Sequence, residues 1–197
     1  MQSAKIIRVS GISLMFDLFM PDIICETVYD IDFDSLREKD IKGLIFDIDN
    51  TLVSYKRETP TENVVNLMNR LDGAGFAVCF VSNNNKQRVD IFNREFNYLS
   101  FPDAKKPLKK SMKSALEAMS LTNTGVAVIG DQIFTDVIAA KRIKAMSILV
   151  TPIEPVETLF FRFKRFFEKP LIRRYYKNKN KNNKSGGTEK TGNNYEI

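Results

Sequence analysis

Two carboxylates, Asp47 and Asp49, stand two residues apart in Leu44-Ile45-Phe46-Asp47-Ile48-Asp49-Asn50-Thr51-Leu52, where an apolar run gives way to a loop. A carboxylate can attack phosphorus to give an aspartyl phosphate, which splits one difficult hydrolysis into two easier displacements. A second carboxyl group beside it can protonate the leaving oxygen and then deprotonate the attacking water. Read alone, the pair also suits a polar turn after a strand.

Three further junctions carry polar residues of the same kind. Phe80-Val81-Ser82-Asn83-Asn84-Asn85 offers the hydroxyl of Ser82 and the backbone N–H groups around Asn83 to phosphoryl oxygens, or serves only as a helix cap. In Ala104-Lys105-Lys106-Pro107, Pro107 fits the first turn of a helix and keeps Lys106 extended. A fixed ammonium there can hold phosphate and offset nearby carboxylates; otherwise it is one surface lysine among Lys109, Lys110 and Lys113. Gly130-Asp131-Gln132-Ile133-Phe134-Thr135-Asp136 places Asp131 where Mg²⁺, an ion content with one or two carboxylates and several waters, would sit, with Asp136 in support. Asp131 and Asp136 also read as turn and cap residues that favour a helix dipole. Each motif has an ordinary explanation by itself, but four in succession at strand ends meet the several-roles criterion for a site.

The elements that must bring these residues together alternate in period. Apolar runs Leu44 to Ile48, Phe76 to Val81, Val126 to Ile129 and Ser147 to Val150 read as strands. Between them, helical spacing predicts helices over Thr61 to Leu71, Lys86 to Phe96, Lys109 to Met119 and Thr135 to Arg142, with Val64, Leu67, Met68 and Leu71 on one face. Such alternation predicts a doubly wound α/β domain with a mainly parallel sheet. Residues 19–38, with Pro21 and the acidic cluster Asp30, Asp32, Asp34, predict no element.

Composition narrows the chemistry. The 197 residues suffice for one substantial core. There is no histidine, so carboxylates, Lys, Ser and Asn must do any chemistry and a hard metal such as Mg²⁺ is the fitting one. Cys25 and Cys79 lie in apolar runs, unlike a disulfide or zinc pattern, and read as buried residues of a reducing compartment. No stretch is long and apolar enough to span a membrane, and the start lacks the order of a secretory signal, which predicts a cytoplasmic location. Net charge is uneven: residues 159–197 hold eleven basic and three acidic side chains, and the rest is slightly acidic.

The expected organisation is a lead-in over 1–40, a catalytic domain over 41–155, a basic amphipathic segment over 156–176 and a disordered tail over 177–197. Leu159, Phe160, Phe163, Phe166 and Phe167 recur at helical spacing among Arg162, Lys164, Arg165 and Lys169. Residues 159–184 therefore suit peripheral contact with an anionic membrane, at about 1 kcal/mol per basic residue near the leaflet. The same pattern suits an amphipathic helix packed on its own domain, or nucleic-acid binding through aromatic and basic side chains.

The four motifs, in type and order, resemble those of the haloacid dehalogenase-like (HAD) phosphatases, and DxDNT after an apolar strand is the most specific of them. More narrowly, residues 41–53, 81–89, 104–107 and 128–136 look like the YqeG group of subclass IIIA, which includes enzymes similar to phosphatidylglycerophosphate phosphatases. The lead-in from Pro21 to Leu36 also looks like that group's. The resemblance implies Asp47 as nucleophile, Asp49 as acid and base, Lys106 as a catalytic and phosphate-binding group with Ser82 and Asn83, and a Mg²⁺ site drawn from Asp47, Asp49 (by its main-chain oxygen), Asp131 and Asp136. A response-regulator receiver also has a strand-end Asp, a Ser or Thr and a Lys, but Asp49 and the GDxxxxD motif argue against it. The family's cap domains follow the first or second motif, and Leu52 to Pro60 and Lys86 to Lys105 are too short for one. A capless site suits a phosphate carried on something large: a lipid at the inner membrane surface, a protein or a nucleic acid. A vestigial site on an RNA- or membrane-binding module is the non-enzymatic alternative.

Overall fold

A computed structural model of the chain describes residues 17–154 together with 170, 172 and 173. The expected basic segment over 156–176 lies, those three residues apart, outside the described residues, as does the expected tail over 177–197. The chain divides into two compact units, Met1–Val156 and Glu157–Ile197, and the strands and helices named here belong to the first.

Six strands form one parallel sheet: β1 (Ile23–Cys25), β2 (Gly43–Phe46), β3 (Ala77–Val81), β4 (Leu99–Phe101), β5 (Val126–Gly130) and β6 (Met146–Val150), in the order β1-β6-β5-β2-β3-β4. Parallel neighbours cannot be joined by a tight turn, so helices make the crossovers. These are α1 (Phe33–Glu38), α2 (Glu62–Gly73), α3 (Lys86–Asn93), α4 (Lys109–Ala118) and α5 (Ile138–Ile143). Strand alternation then sorts the core into two layers. Leu44, Phe46, Val78, Phe80, Ala127 and Ile129 meet Leu36 of α1, Leu67 and Met68 of α2 and Phe92 of α3. Ile45, Cys79, Val81, Val126 and Val128 meet Met112 and Ala115 of α4 and Ala139, Ala140 and Ile143 of α5. All four residues of β2 are buried, the signature of a strand covered on both faces. Each fully buried Leu, Ile, Phe or Met contributes about 1.5–3 kcal/mol of burial free energy.

From β2 the chain proceeds to β3 and β4 on one side and places β5 and β6 on the other. The order therefore reverses beside β2, and ligands of open α/β sheets bind in the crevice at the carboxyl ends of strands at such a reversal.

The predicted helical face of α2 is buried as expected, with Val64, Leu67, Met68 and Leu71 inward. Thr61 caps that helix by accepting the Val64 N–H, and Asn85 caps α3 by accepting the Arg88 N–H. Elsewhere the elements depart from expectation. Helix α3 stops at Asn93 rather than Phe96. The helix expected from Thr135 opens instead as a π-helical turn over Ile133–Val137. Pro107 is not in a first helical turn: α4 starts at Lys109, and the Lys106–Pro107 peptide is cis. Strand β4 lay below detection because it is three residues long. Cys25 is only half-buried, unlike Cys79, and both are free thiols.

Residues 1–16 of the lead-in lie outside the described residues; from residue 17 on it is structured, and Asp30 and Asp32 of its acidic cluster are used locally. Asp30 accepts from the Thr27 N–H at 2.8 Å in a capping box, and Asp32 caps α1 by accepting the Ser35 N–H at 2.9 Å. β1 pairs with β6 in the register Ile23 to Ile148. Asp22 secures that pairing: one carboxylate oxygen accepts from the Ser147 N–H and hydroxyl, both at 2.8 Å, and the other pairs with Lys141. Asp22→Ala is expected to destabilise the fold by about 1–3 kcal/mol, since it strands a half-buried donor pair, while leaving turnover of a soluble phosphate ester unchanged; urea denaturation with a parallel rate assay checks both.

Candidate active site

Strand β2 delivers Asp47 to the reversal point, and the Asp47 N–H donates to the Ile129 carbonyl at 2.9 Å, so the backbone there is still part of the sheet. The residues after it form a tight structure of their own. Asn50 takes a left-handed conformation with φ 63°, which Asn tolerates better than other L-residues. Its N–H donates to the Val53 carbonyl at 2.7 Å and its side-chain amide to the Glu154 carbonyl at 3.1 Å. The Thr51 hydroxyl donates to Asp47 Oδ2 at 3.3 Å. The Asn and Thr of DxDNT thus have structural tasks: one turns the chain, the other orients the first carboxylate.

Lys106 approaches Asp47 from the loop after β4. Its Nζ donates to Asp47 Oδ1 at 2.6 Å and to the Val81 carbonyl at 2.8 Å, and it lies 2.7 Å from Asp136 Oδ1. Two of its N–H groups thus have acceptors, and Asp136 is paired with it by charge. The side chain is almost fully buried, and although burial disfavours its charge, Asp136 and Asp47 hold its pKa above the usual lysine value. Asn83 positions it from β3: its side-chain oxygen accepts the Lys106 N–H at 2.6 Å and its amide donates to the Lys106 carbonyl at 3.4 Å.

Asp136 reaches the same ammonium from the π-helical turn, a feature often found at functional sites. Its Oδ2 accepts from the Gln132 N–H at 3.2 Å and the Thr135 hydroxyl at 3.1 Å. Gly130 makes this approach possible, because a Cβ there would overlap the Asp136 carboxyl group. Ser82 is buried, and its hydroxyl accepts the Asn84 N–H at 3.0 Å.

Asp47, Asp131 and Asp136 each offer a carboxylate oxygen within 4.8 Å of the others. Burial pushes the Asp47 carboxyl up to about 6, against the pull of Lys106, with Asp136 and Asp49 adding to the rise. Burial, then the charges of Asp47 and Asp136, push Asp131 up to about 8. One ammonium serves three buried carboxyl groups, and Asp131 Oδ1 is buried without a hydrogen-bond partner among the described residues. These features fit a hard divalent cation held by carboxylate oxygens.

Asp49 stands apart from that trio. Its carboxylate accepts from Arg88 Nη2 at 2.8 Å and from Asn84 Nδ2 at 3.2 Å. It still lines the pocket of about 280 Å³ formed with Asp47, Ser82, Asn83, Asn84, Lys106, Gln132, Thr135 and Asp136. The structure therefore gathers all seven residues singled out in the sequence. Asn83 shows a clamping task that its position did not reveal, and Arg88 and Asn84 were missed. Arg88 left one trace: it falls at i, i+4 spacing with Phe92, so a charge lies on the apolar face of α3.

Neither of the two segments after the first and second motifs holds a cap. Residues 52–60 are a loop with short turns, while residues 86–105 supply α3 and the edge strand β4. Among the described residues, no helix is long and apolar enough to cross a membrane.

The sequence model of the family described as mitochondrial PGP phosphatase matches residues 4–157. A probable phosphatase of Bacillus subtilis (strain 168), YqeG, is 33% identical over 154 residues, which cover 78% of this chain and 90% of the relative. Among solved structures, an uncharacterised protein from Listeria monocytogenes serotype 4b overlaps 60% of this chain and 85% of its own, at 15% identity and a TM-score of 0.49. A cobalt-bound deoxy-D-mannose-octulosonate 8-phosphate phosphatase from Haemophilus influenzae overlaps 57% and 69%, at 16% identity and a TM-score of 0.46.

The carboxylate trio generates a stability signature. Asp47 and Asp131 have folded-state values above the ordinary 3.8, so the stability they lend is complete below about pH 4 and is lost as pH rises through about 6 and about 8. Without divalent cations, the melting temperature is expected to fall by several degrees between pH 5 and pH 8. Saturating Mg²⁺ should recover most of that loss at pH 8 and little at pH 5, and calorimetry across the four conditions measures it.

Proposed function

Because the chain belongs to the mitochondrial PGP phosphatase family and is a HAD-type phosphoric monoester hydrolase, we propose that Asp47 is its nucleophile and phosphatidylglycerophosphate its substrate. The observation that carries the chemistry is the carboxylate of Asp47 at the end of β2, held by Lys106 and Thr51 at the base of a pocket that Asp49 also lines. One oxygen of Asp47 attacks phosphorus, the bond from phosphorus to the ester oxygen breaks, and Asp49 gives the departing oxygen its proton. Asp49 then takes a proton from water, whose oxygen attacks the aspartyl phosphate. The bond from phosphorus to Asp47 breaks, phosphate leaves and the carboxylate is restored.

Asp47 and Asp131, with the Asp49 main-chain oxygen and with Asp136 in support, would hold Mg²⁺, which when bound would supply positive charge to the phosphoryl group. The Lys106 ammonium lies between the Asp47 and Asp136 carboxyl groups and offsets their charge. Ser82 and the backbone around Asn83 bind phosphoryl oxygens, and the Asn83 side chain keeps Lys106 in place.

The substrate reading is supported by the family's own description and by a pocket that, among the described residues, no cap encloses. A phosphate on a lipid head group at a bilayer surface can enter such a site without leaving the membrane. The basic residues of 159–184 then act as a tether to anionic lipid, which places the enzyme peripherally on the membrane.

Phosphate release from phosphatidylglycerophosphate in mixed micelles with Mg²⁺ tests the reading, with a soluble aryl phosphate as control. Wild type should prefer the lipid, and Asp47→Asn should lose at least about a thousandfold on both substrates. Activity confined to the soluble ester would keep the chemistry and transfer the search to phosphoprotein and nucleic-acid ends. Removal of residues 159–197 should spare the soluble ester and lower lipid hydrolysis on anionic vesicles about tenfold or more; equal loss on both would remove the tether.

A further inference from the structure

Arg88 is the buried cation that the chemistry above does not use. It lies in the first turn of α3 and is 8% exposed. A guanidinium so far from water must be paired, and its partners belong to three different parts of the molecule. Nη2 donates to Asp49 Oδ1 and to the Arg57 carbonyl, both at 2.8 Å, and Nη1 donates to the Glu58 carbonyl at 2.9 Å. The group also sits over the Phe92 ring, 5.8 Å from its centroid.

We infer that Arg88 is a positioning residue: it holds the Asp49 carboxylate at the angle from which it meets the ester oxygen, and locks the loop over residues 54–60 to that carboxylate. The inference rests on Asp49 being the acid and base, and it concerns how that group is kept in place. Asp49 lies past the end of β2, where a single bridge to Val53 holds its backbone, and its side chain depends on contacts from elsewhere in the chain. Asn84 holds one oxygen and Arg88 the other. Arg57 further folds the same loop by donating from Nε to the Thr59 carbonyl at 3.0 Å. The planar fork is what lets one side chain satisfy a carboxylate and two carbonyls that face it from different directions. A lysine ammonium, a point charge on a flexible stem, cannot reproduce that set. Displacement of a catalytic group by about 1 Å can cost about a hundredfold in rate, so the orientation has a measurable consequence.

The readout is dependence on the leaving group, because an alkoxide needs a proton as it departs and a nitrophenolate hardly does. We would compare kcat/KM, which covers only the steps through departure of the alcohol, for benzyl phosphate and p-nitrophenyl phosphate. The full chain with Mg²⁺ would be used as wild type, Asp49→Asn, Arg88→Met, Arg88→Lys and the double variant Asp49→Asn/Arg88→Met. Arg88→Met should lose about a hundredfold on benzyl phosphate and less than about tenfold on p-nitrophenyl phosphate, within the span of general acid catalysis. Asp49→Asn should show the same selectivity, and the double variant should be no more selective than Asp49→Asn. Should Arg88→Met not fold, Arg88→Lys carries the comparison, with the same direction expected. Equal losses on the two esters in the Arg88 variants, beside a selective Asp49→Asn, would overturn the positioning role. A non-selective Asp49→Asn would instead remove the acid assignment, and the inference with it.

Discussion

One buried ammonium determines how the four strand ends meet. Asp47 follows β2, Asp136 lies in the turn after β5, and as buried carboxylates they would repel each other, yet both lie within 2.7 Å of Lys106 Nζ. Coulomb attraction is strongest where water is excluded, but it offsets the cost of burying charge only if every partner is present. Loss of one partner from such a cluster typically costs about 3–5 kcal/mol. Other features follow from that demand. Asn83 grips the Lys106 main chain through both its N–H and its carbonyl, the Val81 carbonyl accepts from the ammonium beside Asp47, and Gly130 has no side chain because Asp136 needs the room. The π-helical turn is the backbone's part in the same arrangement, since it carries Asp136 inward while its N-terminal Gln132 N–H binds the free oxygen.

Much of this was legible in the sequence, because buried parallel strands announce themselves as continuous apolar runs and the candidate residues at the ends of β2, β3 and β5 follow them closely. The ends of β2, β3 and β5 and the buried face of α2 needed only period and composition. The strand of the lead-in and the edge strand β4 resisted the same reading for a physical reason: β1 and β4 are three residues each, too short for alternation to appear, and their place in the sheet depends on long-range pairing. Asp30 and Asp32 looked like a cluster of charge and are two separate caps. That distinction depends on which N–H each meets in space, and spacing alone cannot reveal it.

The same limit applies within the site. Type and order identified Asp47, Asp49, Lys106, Asp131 and Asp136, but the partition among them came only from three dimensions. Three carboxylates gather around Lys106, while Asp49 turns toward α3 and is held by Asn84 and Arg88. A helix-wheel reading sees Arg88 as an odd polar residue beside Phe92. Its two main-chain partners at Arg57 and Glu58 lie some thirty residues away and leave no local pattern.

The two shortest strands, β1 and β4, are also the two margins of the sheet among the described residues. A strand at a margin exposes unpaired N–H and carbonyl groups, and a long one recruits strands from other copies of the chain. Here each margin offers only three residues, and β4 is closed by Pro102, which has no N–H to give. A protein whose interior strands are as continuously apolar as β2 and β5 thus presents little template for fibre-like self-association, even when crowded together on a surface.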